Sequence, residues 1–257
     1  MKPAFMALML TKTLKKPLQN SNAKIGTATI LNNSMQKYRL SPSTLNLFLD
    51  CPRCFWLDKN KNIKRPRGIF PSLPGGMDLV IKTYFDKYRV KDELPPEVKG
   101  RLTGKLLADV GLLDKWRSWK ATDLCYEDKS INASLSGALD DCLLEDGYYI
   151  PLDYKTRGSE LNEDPRKYYQ TQLDCYCLIL ESSGRKTKGL AYLLYYWPIE
   201  VSENGMVRFN VEPFKIETSI ESAKKIFRDA VTLLSQEIPK ANPVCEYCNL
   251  VTVRKNE

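Results

Sequence analysis

Apolar positions along the chain follow two periods, one helical and one strand-like, and the changes of period divide it into elements. Ser41-Pro42 opens the first helical stretch. Serine is a favoured N-cap, proline a favoured first helical residue, and Leu45, Phe48 and Leu49 follow on one face. After Gly75-Gly76, the residues Met77, Val80, Ile81, Tyr84, Phe85 and Tyr88 fall at helical spacing. Residues 105–119 read as helical too. The period then shortens: Ile131, Ala133, Leu135 and Leu139 alternate, Asp146-Gly147 is a hairpin-turn signal, and 148–155 returns as a second strand. Pro151 within that strand predicts an edge position or a bulge, because proline cannot donate to a ladder.

Asp164 and Pro165 start another helix, with the stripe Tyr169, Leu173, Tyr176 and Leu180 ending near Gly184. Residues 189–197 are an unbroken apolar run, the pattern of a strand buried on both faces. Residues 206–217 add further strand character. Thr218 and Glu221 have the spacing of a capping box for a last helix running to Pro239. Helices, strands, helix, strands, helix: this order predicts an α/β sandwich with one mixed sheet flanked by helices.

Composition fits that reading, with 43% hydrophobic and 27% charged residues. No apolar run approaches the roughly 20 residues needed to cross a membrane, so a cytoplasmic protein is expected. The chain has no histidine, which removes the usual general base and the commonest zinc ligand. The formal charge of +8 is unevenly placed: residues 1–39 hold seven basic side chains and no acid, leaving one net charge for the rest. Residues 1–36 are expected to be a basic, disordered extension, with a targeting peptide or a nucleic-acid arm as alternatives, and 37–257 a single domain. The basic stretch 59–67 reads as a solvated loop or a nucleic-acid contact.

The chemistry concentrates in the predicted hairpin. Residues two apart on a strand share a face, so Asp153 and Lys155 project together and Tyr154 projects oppositely. Asp-x-Lys alone is a common ion pair. Asp140, at the end of the partner strand, adds a second carboxylate. Two carboxylates suit a hard divalent cation such as magnesium or manganese, with a backbone carbonyl and water completing its coordination. A neighbouring lysine can orient an attacking water or stabilise charge on a phosphate, and no histidine is required.

Gly137-Ala138-Leu139-Asp140, Pro151-Leu152-Asp153-Tyr154-Lys155 and Gln172-Leu173-Asp174-Cys175-Tyr176 resemble successive motifs of the PD-(D/E)XK nuclease superfamily. They are most similar to its RecB-type branch, which includes CRISPR-associated RecB-like exonucleases and the nuclease domain of AddB. The motifs span 137–176, and flanking elements extend the resemblance to about 38–250. It implies a restriction-endonuclease-like sandwich with Asp140, Asp153 and the Tyr154 carbonyl as metal ligands and Lys155 as the catalytic lysine. Gln172 and Tyr176 would position a DNA end or the lysine; otherwise Gln172 is a surface polar residue and Tyr176 part of the core stripe. Relatives often carry His or Glu on an upstream helix as a further ligand. Asp78 stands in that place, either as a ligand or as an acid favouring the helix macrodipole. Asp141 faces away from Asp140 and is not expected on the metal.

The eight cysteines form two groups. Cys125, Cys142, Cys175 and Cys177 lie in apolar segments and read as small buried residues. Cys51 and Cys54 make one C-x-x-C pair, and Cys245 and Cys248 another, which together can supply four thiolates to one metal centre joining the two ends. Several RecB-type nucleases hold a four-iron, four-sulfur cluster through one early and three late cysteines, so the resemblance implies such a cluster here. The two-plus-two spacing leaves structural zinc, or no metal at all, as the alternatives. Taken together, the expectation is a magnesium- or manganese-dependent DNA exonuclease acting on single strands or duplex ends in repair, recombination or defence. Helicase or other nuclease-complex subunits would be its partners. The alternative is a catalytically silent DNA-binding or scaffold subunit.

Overall fold

The computed structural model describes residues 38–253, apart from 67, 69–71, 119, 121–122, 162–163 and 165, with 250–253 described by backbone alone. The extension expected over 1–36 therefore lies outside the described residues, as does Pro165. In chain order the elements begin with β1 (Tyr38–Leu40), α1 (Pro42–Asp50), α2 (Pro52–Lys61), α3 (Ser72–Arg89), β2 (Lys105–Leu106) and α4 (Val110–Arg117). Then come β3 (Cys125–Asp128), β4 (Ala133–Ser136), β5 (Asp141–Glu145), β6 (Tyr148–Thr156) and α5 (Arg166–Ser182). The last are β7 (Leu190–Val201), β8 (Val207–Glu217), α6 (Ile220–Leu234) and α7 (Glu246–Val253).

The central sheet is mixed, as expected, with strand order β2-β5-β6-β7-β8. β6 and β7 are parallel and the remaining neighbours antiparallel. A parallel pair needs a crossover, and α5 supplies it between β6 and β7. The apolar run at 189–197 is buried on both faces of β7. Ala191, Leu193, Tyr195 and Trp197 pack towards α5 and α6, while Tyr192, Leu194 and Tyr196 join Ile81 and Phe85 of α3. Helices therefore cover both faces, and no helix among the described residues is long and apolar enough to cross a membrane.

Several local expectations are corrected. The strand read through 131–139 stops at Ser136, and β4 belongs to a second sheet of order β1-β4-β3. The break is at Gly137, where a Cβ would lie 3.3 Å from both Pro42 and the Tyr176 ring, so the chain passes too closely for a larger residue to sit comfortably. Asp140 thus precedes β5 instead of ending a continuous strand. Pro151 lies in a central strand without a bulge. Its partner Cys142 turns its carbonyl to the Leu107 N–H (2.9 Å), so the Cys142–Pro151 pair is not hydrogen-bonded, and the ladder with β7 begins only at Leu152.

Helix ends shift similarly. Residues 105–106 form an edge strand and only 110–117 are helical. Leu49 and Val80 are exposed despite their periodicity. The last helix is capped by Ser219, whose hydroxyl accepts from the Ser222 N–H, and it ends at Leu234, short of Pro239. Thr218 is engaged elsewhere, its N–H donating to the Gly189 carbonyl (2.8 Å). Buried Asp174 accepts from the Ser219 N–H (2.9 Å) and ties α5 to the start of α6. The first helix is as expected: Ser41 caps it, and Thr44 returns a hydrogen bond to the Ser41 N–H (2.8 Å). The hairpin turn is also as expected, with Asp146 and Gly147 at φ 52° and 80°.

Beneath the hairpin lies an ion network that joins α3, α4, β5 and β6. Asp141 is fully buried, and its Oδ2 accepts from Arg89 Nη2 (2.5 Å) and the Tyr154 hydroxyl (2.7 Å). Arg89 also donates to the Leu107 carbonyl (2.6 Å). Arg117 donates to both oxygens of Asp86 and, through Nε, to the Asp140 carbonyl (2.9 Å). Burial pushes the Asp86 carboxyl up, but Arg117 and Arg89 outweigh it and hold the group below the usual carboxylate range. Its contribution is therefore present at neutral pH and lost as pH falls through that depressed value. Asp141→Ala is expected to cost about 3–5 kcal/mol in denaturant unfolding, because it removes the fully buried partner of Arg89 and leaves only the part-exposed Asp86, shared with Arg117, to balance it. Asp86→Asn is expected to flatten the acid limb of the stability–pH profile.

Candidate active site

The site is built where β6 runs through the middle of the sheet. Strand alternation sends Ile150, Leu152 and Tyr154 towards α3, and turns Asp153 and Lys155 to the α5 side. Asp140, one residue before β5, reaches the same side, and its Oδ2 accepts from the Tyr154 N–H (3.1 Å). The structure thus brings Asp140, Asp153 and Lys155 together, with the Tyr154 ring on the opposite face as expected. Asp141 also faces away, into the ion network.

Asp153 is 1% exposed. Its Oδ1 accepts from Gln172 Nε2 (3.0 Å), while Oδ2 is ion-paired with the Lys155 ammonium but makes no well-directed hydrogen bond. Burial, reinforced by the nearby Asp140 carboxylate and opposed by Lys155, pushes Asp153 up to about 7. Burial alone would lower Lys155; Asp153 and Asp140 outweigh it and hold the ammonium above the ordinary lysine value. Lys155 Nζ also stands 4.8 Å from the centre of the Tyr169 ring, which limits where it can swing.

Gln172 and Tyr176 lie one turn apart on α5, and Gln172 Nε2 donates to the Tyr176 hydroxyl (2.5 Å). The Tyr176 ring is buried in the core, as the stripe reading expects, while its hydroxyl reaches the polar side chains of the site. Asp78, on α3, is half-exposed and connects to Asp140 only through Lys82. The Lys82 ammonium lies 2.7 Å from Asp78 Oδ2 and 2.8 Å from Asp140 Oδ1. Sequence reasoning missed Lys82, although its place four residues after Asp78 on a helix was a readable signal. Arg117, which holds the Asp140 backbone, left no such signal because its contact is purely tertiary.

A cavity of about 850 Å³ opens beside Gln172 and Tyr176 and is lined by Arg39, Ser41, Thr44 and Lys59 among others. Cys125, expected to be buried, is only half-buried and lines this cavity. Cys142, Cys175 and Cys177 are buried.

Away from the carboxylates, Cys51, Cys54, Cys245 and Cys248 converge, with all four sulfurs within 4.8 Å of one another and all four residues buried. Cys51–Cys248 and Cys54–Cys245 are each 3.7 Å apart between sulfurs. Cys51 and Cys54 stand at the start of α2, Cys245 and Cys248 at the start of α7. Arg65 donates to the Cys245 sulfur (3.4 Å) and lies over the Tyr247 ring. Burial pushes the Cys54 thiol up to about 12. Burial raises Cys245 too, but the Cys248 backbone N–H and the neighbouring thiols outweigh it and bring the group down to about 7.

Residues 82–253, more than half of the chain, match the sequence profile of the PD-(D/E)XK nuclease superfamily. No curated protein matches the chain in sequence. A solved structure titled "Crystal structure of SSO0001" is similar at 13% identity and a TM-score of 0.40, over 87% of this chain and 89% of that one. That likeness is too slight to bear on function.

The geometry predicts a measurable titration. Removing a hydrogen bond to a charged group favours its neutral form. Gln172→Leu is therefore expected to move Asp153 further above its value of about 7 in metal-free protein. Carboxyl NMR across that pH range reads the shift; an unchanged titration would show that Gln172 does not hold Asp153.

Proposed function

We propose that this chain, which belongs to the PD-(D/E)XK nuclease superfamily, is a magnesium- or manganese-dependent DNA nuclease of the RecB type. The observation that carries this reading is the meeting of Asp140 and Asp153 on one face of the sheet with Lys155 between Asp153 and Tyr169. The carboxylates fit a hard cation: Asp153 Oδ2 is a buried acceptor without a well-directed donor, and carboxylate oxygens are the ligands such ions prefer. Asp140, Asp153 and the Tyr154 carbonyl would hold the ion, with Asp78 as a more distant acid. When bound, it would polarise the scissile phosphate and a water molecule.

The remaining work falls to the protein's side chains. Lys155 orients the nucleophile and balances charge that develops on the phosphate. Gln172 fixes the Asp153 carboxylate and, through Tyr176, borders the neighbouring cavity, where Arg39 and Lys59 offer positive charge to a nucleic-acid backbone. The Gln172–Tyr176 pairing supports the RecB-type branch, and with it exonuclease action on single strands or duplex ends in repair, recombination or defence. A cytoplasmic setting and helicase or other nuclease partners accompany this reading.

The four thiolates form a second, structural centre. One tetrahedral ion with thiolates at about 2.3 Å sets its sulfurs about 3.8 Å apart, close to the two 3.7 Å pairs. A four-iron cluster places the iron and sulfide of a cube between its thiolates and holds them further apart. The spacing supports zinc over the cluster that the family resemblance implies. In either case the centre links α2 to α7.

Asp153→Ala is expected to abolish manganese binding and cleavage, whereas Lys155→Ala keeps the ion and loses about 10²–10³ in rate. End-labelled and circular single strands, with the ion supplied, distinguish exonuclease from endonuclease action. Full-rate cleavage by either folded variant would remove the assignment, and an inert wild type that still binds DNA would favour the silent scaffold. For the thiolates, the expected result is colourless protein with one zinc per chain (the occupancy of one Cys₄ site) and lower folding stability after Cys248→Ser. Brown protein containing iron and sulfide would restore the cluster.

A further inference from the structure

Lys82 is a charged group at the carboxylate site for which the proposed roles have no use. Its side chain is 16% exposed, and its ammonium bridges Asp78 and Asp140. It faces the Asp140 oxygen that the Tyr154 N–H does not use. Since each carboxylate oxygen has two acceptor sites, Asp140 can serve Lys82 and a metal ion together.

Charge balance limits how many ions this site can take. With Asp153 fully ionised, as a bound cation would hold it, Asp78, Asp140 and Asp153 carry three negative charges, and Lys82 and Lys155 two positive ones. Nearby Arg89 and Arg117 are matched by Asp86 and Asp141 in their own network. The excess is one negative charge. A single divalent ion reverses it to one positive, which one phosphodiester neutralises. A second divalent ion would leave a surplus of two even with the phosphate bound. Many nucleases hold two ions about 3.5–4 Å apart, joined by a shared carboxylate. Here the place beside the shared carboxylate, against a further acid on α3, is filled by an ammonium.

We propose that Lys82 substitutes for a second metal ion, so that the site takes one divalent cation and Lys82 supplies the other positive charge between Asp78 and Asp140. The inference rests on the metal reading of Asp140 and Asp153 given above. It assigns Asp78 to holding Lys82 in the wild-type protein, and to metal binding only when that lysine is absent.

Manganese counted by EPR or equilibrium dialysis on the full chain tests this, since a hard ion does not exchange with thiolate-bound metal. Wild type is expected to bind one Mn²⁺ per chain at this site. Lys82→Met, which keeps the unbranched stem but lacks the ammonium, is expected to bind two, and Lys82→Arg one. Asp78→Asn combined with Lys82→Met is expected to return to one. Cleavage by Lys82→Met should rise with the square of metal concentration where wild type rises linearly. Two ions in wild type, or one ion of unchanged affinity in Lys82→Met, would overturn the role of Lys82 while leaving the nuclease reading intact. No Mn²⁺ bound by wild type would instead remove the metal reading itself, and this inference with it.

Discussion

Two carboxylates on one face of the sheet, one of them almost wholly buried, set the terms for everything around them. Asp140 and Asp153 repel each other, and removing such groups from water without partners costs several kcal/mol each. The fold meets this cost locally. Each acid has an ammonium, Lys82 or Lys155, and a neutral donor, the Tyr154 N–H or Gln172. These four donors come from α3, β6 and α5, so the elements flanking the sheet on both sides are tied to the same pair of acids. The strain that remains appears in Asp153, whose pKa of about 7 leaves it partly protonated near neutrality. A bound cation would relieve that strain.

Strand parity allows the sheet to hold a second acid cluster without merging it with the first. Asp141 follows Asp140 directly, yet it points to the α3 side and finds Arg89, Arg117 and the Tyr154 hydroxyl. The two clusters are joined through backbone. Tyr154 gives its N–H to Asp140 and its hydroxyl to Asp141, and Arg117 binds the Asp140 carbonyl. A buried ion pair is a poor source of net stability but fixes positions strongly. Here it holds the residue before β5, where no regular ladder holds Asp140 in place.

What was legible in the sequence follows from the same physics. Period and parity revealed the central mixed sheet, the burial of β7 on both faces, and the shared side of Asp153 and Lys155. They also put Asp141 on the far side. Parity could not reveal that the strand before Asp140 changes sheets, because that break depends on Gly137 passing Pro42 and Tyr176, contacts made across the fold. Pro151 misled for a related reason. Its missing N–H matters only if a neighbour needs it, and neither β5 nor β7 does. Lys82 was readable as a helical partner of Asp78, but only the folded chain places Asp140 on its other side.

The thiolate centre and the carboxylate site use opposite kinds of ligand, and their separation has a physical consequence. Soft thiolates prefer zinc or iron, while carboxylates and carbonyls prefer magnesium or manganese, so under the proposed reading each site would fill without depleting the other. The thiolates join the starts of α2 and α7. Cys51 is at once the residue that closes α1 and the one that opens α2, its N–H bonded to the Leu47 carbonyl. A metal at Cys51 would therefore fix α1 from its far end, while Pro42 at the near end rests against Gly137. Ser41 and Thr44, at that same near end, line the cavity beside Gln172 and Tyr176. Helix α1, nine residues long, thus runs from the four cysteines at one end to residues that line the cavity at the other.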